Sequence, residues 1–209
     1  MKRIWDISPP VSAQSPVFPG DTPYHQQWKW QISPQCPVNV SEIAMSPHIG
    51  AHADAPLHYA DGAAAIGNLP LEPFLGPCRV IHALDCGPLI LPQHLAHAAD
   101  DLPARILVRT AQHAAVHWWT DDFSAYAPQT IEWLASLGVQ LIGIDTPSID
   151  PASSKTLDSH HTILRRDIRV LENLVLDAVE PGDYELIALP LALVQADASP
   201  VRAILRELG

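Results

Sequence analysis

Four side chains able to ligate a metal, His48, His52, Asp54 and His58, all stand at even positions of one short segment between Pro47 and His58. Pro47, Gly50 and Pro56 punctuate that segment and make a helix a poor solution, because proline removes a backbone donor and glycine weakens a helix. In an extended chain successive side chains point to opposite faces, so all four project to one side, and Gly50 leaves that side open between His48 and His52. Neutral imidazoles with a carboxylate suit zinc, manganese or iron, zinc first among them, and a site without thiolates tends to leave positions open for water. A lone histidine is usually structural, but three with an aspartate on one face point to a metal.

The chain carries 11 histidines, and a second group lies at Asp158-Ser159-His160-His161, followed by Glu172 in the apolar run Leu171-Glu172-Asn173-Leu174. Burying an unpaired carboxylate is costly, and a cation is one partner that would neutralise Glu172. On residue types alone, a solvated glutamate at a turn and a histidine pair capping a helix fit equally well. His25, His82, His94, His97, His113 and His117 lack ligand spacing and read as structural. His113 and His117 lie beside Trp118-Trp119, which suggests packing or an aromatic wall of a pocket or dimer; Asp121-Asp122 reads as a solvated charge pair.

A length of 209 residues at 47% apolar composition suffices for one substantial core, so a single domain over 1–209 is expected. The formal charge of −11, from 23 acidic against 12 basic residues, argues against a nucleic-acid partner and for a small molecule. Lys2 and Arg3 are followed by no apolar leader, and no stretch approaches a membrane span, so a soluble cytoplasmic protein is expected. Cys36, Cys78 and Cys86 are widely spaced, which predicts packed thiols rather than disulfides or a cysteine zinc site.

Arg3 to Ile7 reads as a strand, and the proline-rich stretch Ser8 to Pro23 as a loop long enough to be a lid or binding loop. Alternation from Tyr24 to Met45, broken at Pro34 and Pro37, predicts two strands. Cys78 to Ala83, Arg105 to Thr110 and Val139 to Ile144 read as buried strands, and Pro128 to Leu137 as a helix stopped by Gly138. Asp158 or Ser159 is expected to cap a helix reaching about Asp167, before strands at Arg169 to Leu176 and Tyr184 to Leu189. Helices alternating with strands in the later part predict a mixed α/β core.

His48-x-Gly50-Ala51-His52-x-Asp54-x-Pro56-x-His58 resembles the H-x-G-T-H-x-D-x-P-x-H signature of the cyclase family of metal-dependent hydrolases. Further family-like segments follow in order: Pro19-Gly20-Asp21-Thr22-Pro23, Gly143-Ile144-Asp145-Thr146-Pro147-Ser148, and Asp158-Ser159-His160-His161 through Glu172-Asn173. Ile4 to Pro10 and Pro19 to Pro23 look most like the members that act on N-formylkynurenine. The resemblance implies an α/β fold of the swivelling β/β/α type, a homodimer, and two zinc ions per subunit. It implies that His48, His52 and Asp54 hold one ion, that Asp54 bridges, and that His160 with Glu172 completes the second site. It also implies that His58 is the proton donor and acceptor and that Phe18 contacts the substrate. Ala51 replaces the signature threonine and Phe18 the usual indole; neither change removes a ligand, and a phenyl ring still stacks on an aniline.

The implied reaction is hydrolysis of the formamide bond of N-formyl-L-kynurenine to L-kynurenine and formate, a step of tryptophan degradation, by zinc-activated water with His58 carrying the proton. Two alternatives are a family member acting on another amide or a cyclic amide such as isatin, and a non-catalytic metal-binding protein. A substrate panel separates the first, and metal binding without formate release the second.

Overall fold

The computed structural model describes residues 2–208; Met1 and Gly209, the two ends of the expected 1–209 domain, lie outside the described residues. Its strands are β1 (Ile4–Asp6), β2 (His25–Trp30), β3 (Val40–Ala44), β4 (His52–Asp54), β5 (Leu75–His82), β6 (Leu89–Ile90) and β7 (Arg105–Arg109). They continue with β8 (Ala125–Tyr126), β9 (Leu141–Ile144), β10 (Arg169–Glu172), β11 (Gly182–Ile187), β12 (Ala198–Pro200) and β13 (Ile204–Glu207). The α-helices are α1 (Pro56–Tyr59), α2 (Pro92–Leu95), α3 (Pro128–Ser136) and α4 (Asp158–Arg166).

Nine strands form one mixed sheet in the order β1-β13-β11-β5-β7-β9-β10-β4-β12. The central strands β5, β7, β9 and β10 run parallel to one another, and the flanking strands are antiparallel. Parallel strands are covered on both faces, which is why Arg105–Arg109 and Leu141–Ile144 read as near-continuous apolar runs. The two-residue period then divides those runs between two cores. Ile106, Val108, Ile142, Ile144 and Val170 face one cluster with Ile131 and Leu134 of α3 and Ile163 of α4. Leu107, Leu141 and Leu171 face the other, together with Ala53 of β4, Leu186 of β11 and Leu205 of β13. Residues from strands far apart in the sheet order thus share one core, so the sheet curls around it. Gly143 belongs to this inner face because a Cβ there would come within 2.4 Å of a Leu107 side-chain carbon.

The expected strands and the α3 helix are present, with Gly138 just beyond the helix, but the strand expected over Arg169 to Leu176 stops at Glu172, because Asn173 turns the chain at a φ of +56°. Two further local expectations differ from the fold. The Pro47 to His58 segment is extended only over β4; His48 sits in a turn at Gly50, whose φ is +64°, and Pro56 opens α1, placing His58 on a helix. Proline suits a first helical turn because that N–H has no intrahelical partner. Helix α4 spans the expected residues, but neither Asp158 nor Ser159 caps it: Leu157 precedes it at a φ of 48°, without a side-chain cap. Asp150, from the preceding loop, instead accepts the N–H groups of Ser159 and His160, both at 3.0 Å.

Candidate metal centre

Strands β4 and β10 are antiparallel neighbours in which Glu172 faces His52 and Val170 faces Asp54. Directly opposed residues lie on the same side of a sheet, so this register puts His52, Asp54 and Glu172 on one face while Ala53 and Leu171 fill the core behind them. The Gly50 turn brings His48 back over β4, and α4 delivers His160 from the far side. Donor atoms of His48, His52 and Asp54 form one group, and those of Asp54, His160 and Glu172 a second, each within 4.8 Å of one another. All five expected ligands therefore converge.

The two Asp54 oxygens divide between the groups. Oδ1 lies 3.0 Å from His48 Nδ1 and 3.3 Å from His52 Nε2, whereas Oδ2 lies 3.4 Å from His160 Nε2. Glu172 spans them likewise, with Oε2 3.3 Å from His52 Nε2 and Oε1 3.6 Å from His160 Nε2. Buried donors and acceptors are ordinarily hydrogen-bonded, yet His52 Nε2 and Asp54 Oδ1 are buried with no hydrogen-bond partner among the described residues. Two ligands each about 2.1 Å from one tetrahedral ion stand roughly 3.4 Å apart, so these separations fit atoms that share a cation. The residues present fit a divalent metal, in a ligand set of imidazoles and carboxylates.

Each of the three histidines has its tautomer set from behind. His52 Nδ1 donates to the Gly50 carbonyl at 2.9 Å, and His160 Nδ1 to Asp150 Oδ2 at 2.7 Å, so both present Nε2 to the centre. His48 is reversed: Nε2 meets Asp197 Oδ2 at 2.9 Å and Nδ1 faces Asp54. Burial opposes charge on His52, but Asp54 and Glu172 outweigh it and raise its pKa to about 10. His160 is likewise raised to about 10, with Asp150 and Asp54 overcoming burial. Burial of Asp54 is overcome in turn by His160, His48 and His52, which hold it well below the usual carboxylate range. Without a metal, the centre is thus a set of carboxylates that retain protons on the neighbouring imidazoles.

Above the ligands lies a cavity of about 370 Å³, within the span typical of small-molecule sites. The proline-rich loop forms one wall, as its length suggested, and residues 114–123 form another. Phe18 and Trp119 meet edge to face across the cavity's lining, with ring centroids 5.3 Å apart. Asp121 and Asp122 are both exposed, as expected of a solvated pair, and Asp121 also accepts the Trp119 indole N–H at 2.7 Å. His58 lines the same space, its Nδ1 3.2 Å from Asp197 Oδ2. His113 belongs to none of the ligand groups and lies 3.5 Å from Asp177.

Sequence reasoning missed Asp150 and Asp197, and gave Asp145 no role beyond its place in a family-like segment. Asp145 is buried and accepts from the N–H groups of Thr110 and Ala111, fixing the base of the aromatic loop. Asp150 lies just beyond the family-like Gly143 to Ser148 segment, and its apolar neighbours Ile149 and Pro151 are the sequence signal that could have marked it. No local signal ties Asp197 to His48 or His58; the β12–β4 pairing brings it there.

Residues 5–151 match the family model described as "Putative cyclase". The chain is 90% identical over its full 209 residues to "Kynurenine formamidase" of Bordetella avium (strain 197N), with all of both chains covered. Among solved structures, a "Potential Metal-Dependent Hydrolase With Cyclase Activity" superposes with a TM-score of 0.86 at 26% identity, covering all of both chains. An isatin hydrolase bound to thioisatinate shares the fold, at a TM-score of 0.79, 18% identity and coverage of 98% of this chain and 92% of the other.

Proposed function

The chain belongs to the cyclase family, and we propose that it hydrolyses the formamide bond of N-formyl-L-kynurenine, giving L-kynurenine and formate in tryptophan degradation. The full-length identity to the Bordetella avium "Kynurenine formamidase" supports the substrate. The observation that carries the chemistry is the convergence of His48, His52, Asp54, His160 and Glu172 beneath an aromatic-lined cavity. His48, His52 and Asp54 would hold one zinc ion, with Asp54, His160 and Glu172 holding a second. When bound, such ions lower the pKa of water and polarise a carbonyl oxygen.

The chain's own groups do the rest. Phe18 and Trp119 offer ring faces and edges to the substrate's arene, which orients the formyl group downward. His58 accepts the proton of the attacking water. As the C–N bond breaks, its electron pair stays on the aniline nitrogen, and His58 returns the proton there; without that proton the arylamide anion is a poor leaving group. Water adds its oxygen to the formyl carbon, so the products are arylamine and formate.

We further propose one hydrolase domain over 1–209, working as a homodimer in the cytoplasm. Three free thiols, Cys36, Cys78 and Cys86, fit a reducing compartment. For the dimer, support comes from the β2–β3 hairpin, which is exposed on every strand residue and carries Trp28, Trp30, Ile32 and Ile43, each more than half exposed. A two-stranded hairpin is marginal alone, and an apolar patch of this kind marks a contact surface.

Purified, zinc-quantified protein should release formate from N-formylkynurenine far faster than it opens isatin. Turnover of isatin with no formate from N-formylkynurenine would assign a different substrate; zinc binding with neither reaction would remove the enzyme reading.

A further inference from the structure

We propose that Asp197 is a positioning residue that sets the tautomers of two histidines for opposite uses, freeing Nδ1 of His48 to bind metal and Nε2 of His58 to move the proton. The inference rests on the reading of His58 as the proton carrier. One oxygen does both: Asp197 Oδ2 lies 2.9 Å from His48 Nε2 and 3.2 Å from His58 Nδ1, and the two rings stand 4.3 Å apart. A carboxylate only accepts, so both facing nitrogens carry hydrogen. A neutral imidazole has one N–H, which leaves the other nitrogen of each ring with a free lone pair. For His48 that is Nδ1, which lies 3.0 Å from Oδ1 of Asp54. For His58 it is Nε2, which has no hydrogen-bond partner among the described residues, on a ring that lines the cavity.

The backbone makes this placement rigid. Ala198 is paired with Asp54 in the β12–β4 ladder, and Ala55 N–H donates to the Asp197 carbonyl at 2.8 Å. Asp197 is thereby tied to the junction between β4, which carries ligands, and α1, which carries His58. During turnover the His58 Nδ1–H stays on Asp197 while Nε2 gains the proton from water and gives it to nitrogen. The carboxylate ends the cycle as it began, having stabilised the transient imidazolium.

Asp197→Asn keeps the shape but offers an N–H₂ donor toward a ring that needs an acceptor. On zinc-saturated, histidine-labelled protein, ¹H–¹⁵N correlation spectra should report Nδ1–H at His58 and Nε2–H at His48, and the variant should lose the His58 assignment. Its kcat should fall about 10- to 100-fold, the usual cost of removing an outer partner, with KM little changed. With zinc kept saturating, so that the His48 arm is satisfied by the metal, the same substitution in a His58→Ala background should cost less than twofold further, whereas a merely structural defect would repeat its full cost. Thermal unfolding of Asp197→Asn, together with Asp197→Ala, checks that the comparison is made on folded protein. Full formate release by His58→Ala would defeat the underlying reading. Loss of turnover in His58→Ala alongside an unimpaired Asp197→Asn with unchanged tautomers would defeat this inference alone. His48, His58 and Asp197 also satisfy ligand spacing, so a third zinc per chain that Asp197→Asn removes would assign them to a cation and overturn it as well.

Discussion

Glu172 on β10 and His52 on β4 are direct cross-strand partners, and their Oε2 and Nε2 atoms end 3.3 Å apart in the buried centre. A glutamate far along the chain and a histidine of the early cluster thus meet through strand register alone. A one-residue slip of β10 against β4 would turn Glu172 into the core and Leu171 toward the cavity.

Asp54 spans both ligand groups, so Asp54→Ala should abolish stable binding of both zinc ions and reduce turnover to background. His58→Ala should keep the zinc and lose about a hundredfold to ten-thousandfold in kcat, the range of one general acid–base group. Metal analysis beside formate-release kinetics on the two variants checks this division; equal zinc content in both would contradict it.

His52 and His160 have pKa values raised to about 10 in the metal-free fold, from an ordinary value of 6.5. A group raised on folding contributes stability that is complete below its unfolded value and is lost as pH climbs through its folded one. Metal-free protein should therefore weaken between about pH 6.5 and about pH 10. Zinc requires these imidazoles deprotonated, so its affinity should rise over the same window. Denaturant midpoints of chelator-treated and zinc-loaded protein across that range check both trends; parallel pH profiles in the two forms would contradict them.

Asp150 accepts from two N–H groups at the start of α4 and also from His160 Nδ1. Asp150→Ala should cost about 1–2 kcal/mol through the lost cap, together with a 10- to 100-fold loss of metal affinity at the site that includes His160. Thermal melts of the metal-free form and zinc titrations separate the two effects.

Much of this was legible in the sequence, for identifiable reasons. Parallel strands buried on both faces, such as β7 and β9, announce themselves as apolar runs, and His52 and Asp54 share a face by strand alternation. The placement of His48 and His58 does not follow from alternation, since a turn at Gly50 and a helix opening at Pro56 carry them. Asp150 acts nine and ten residues along the chain and Asp197 at long range; the role of each depends on loop path or strand pairing, which leaves no periodic trace. The two- and three-residue strands β6, β8 and β12 are also too brief for periodicity to mark.

Phe18 packs edge to face on Trp119 in the cavity lining. Phe18→Ala removes one aromatic contact worth about 0.5–1.5 kcal/mol, so KM should rise about 2- to 10-fold while kcat changes little. Steady-state kinetics with N-formylkynurenine check it, and an unaltered KM would place the substrate ring elsewhere.

Trp30 and Ile32 are 60% and 65% exposed at the end of the β2–β3 hairpin. Replacing both with serine should shift the protein from dimer to monomer in light scattering, with zinc content retained; a wild-type monomer would contradict the dimer.

Zinc titrated into chelator-stripped wild-type protein, with formate release followed at each addition, tests the metal centre most directly. Turnover should be absent at the start and reach its plateau at two zinc ions per chain. Full turnover by the stripped protein, or a plateau of bound zinc without formate, would contradict a hydrolase built on these five ligands.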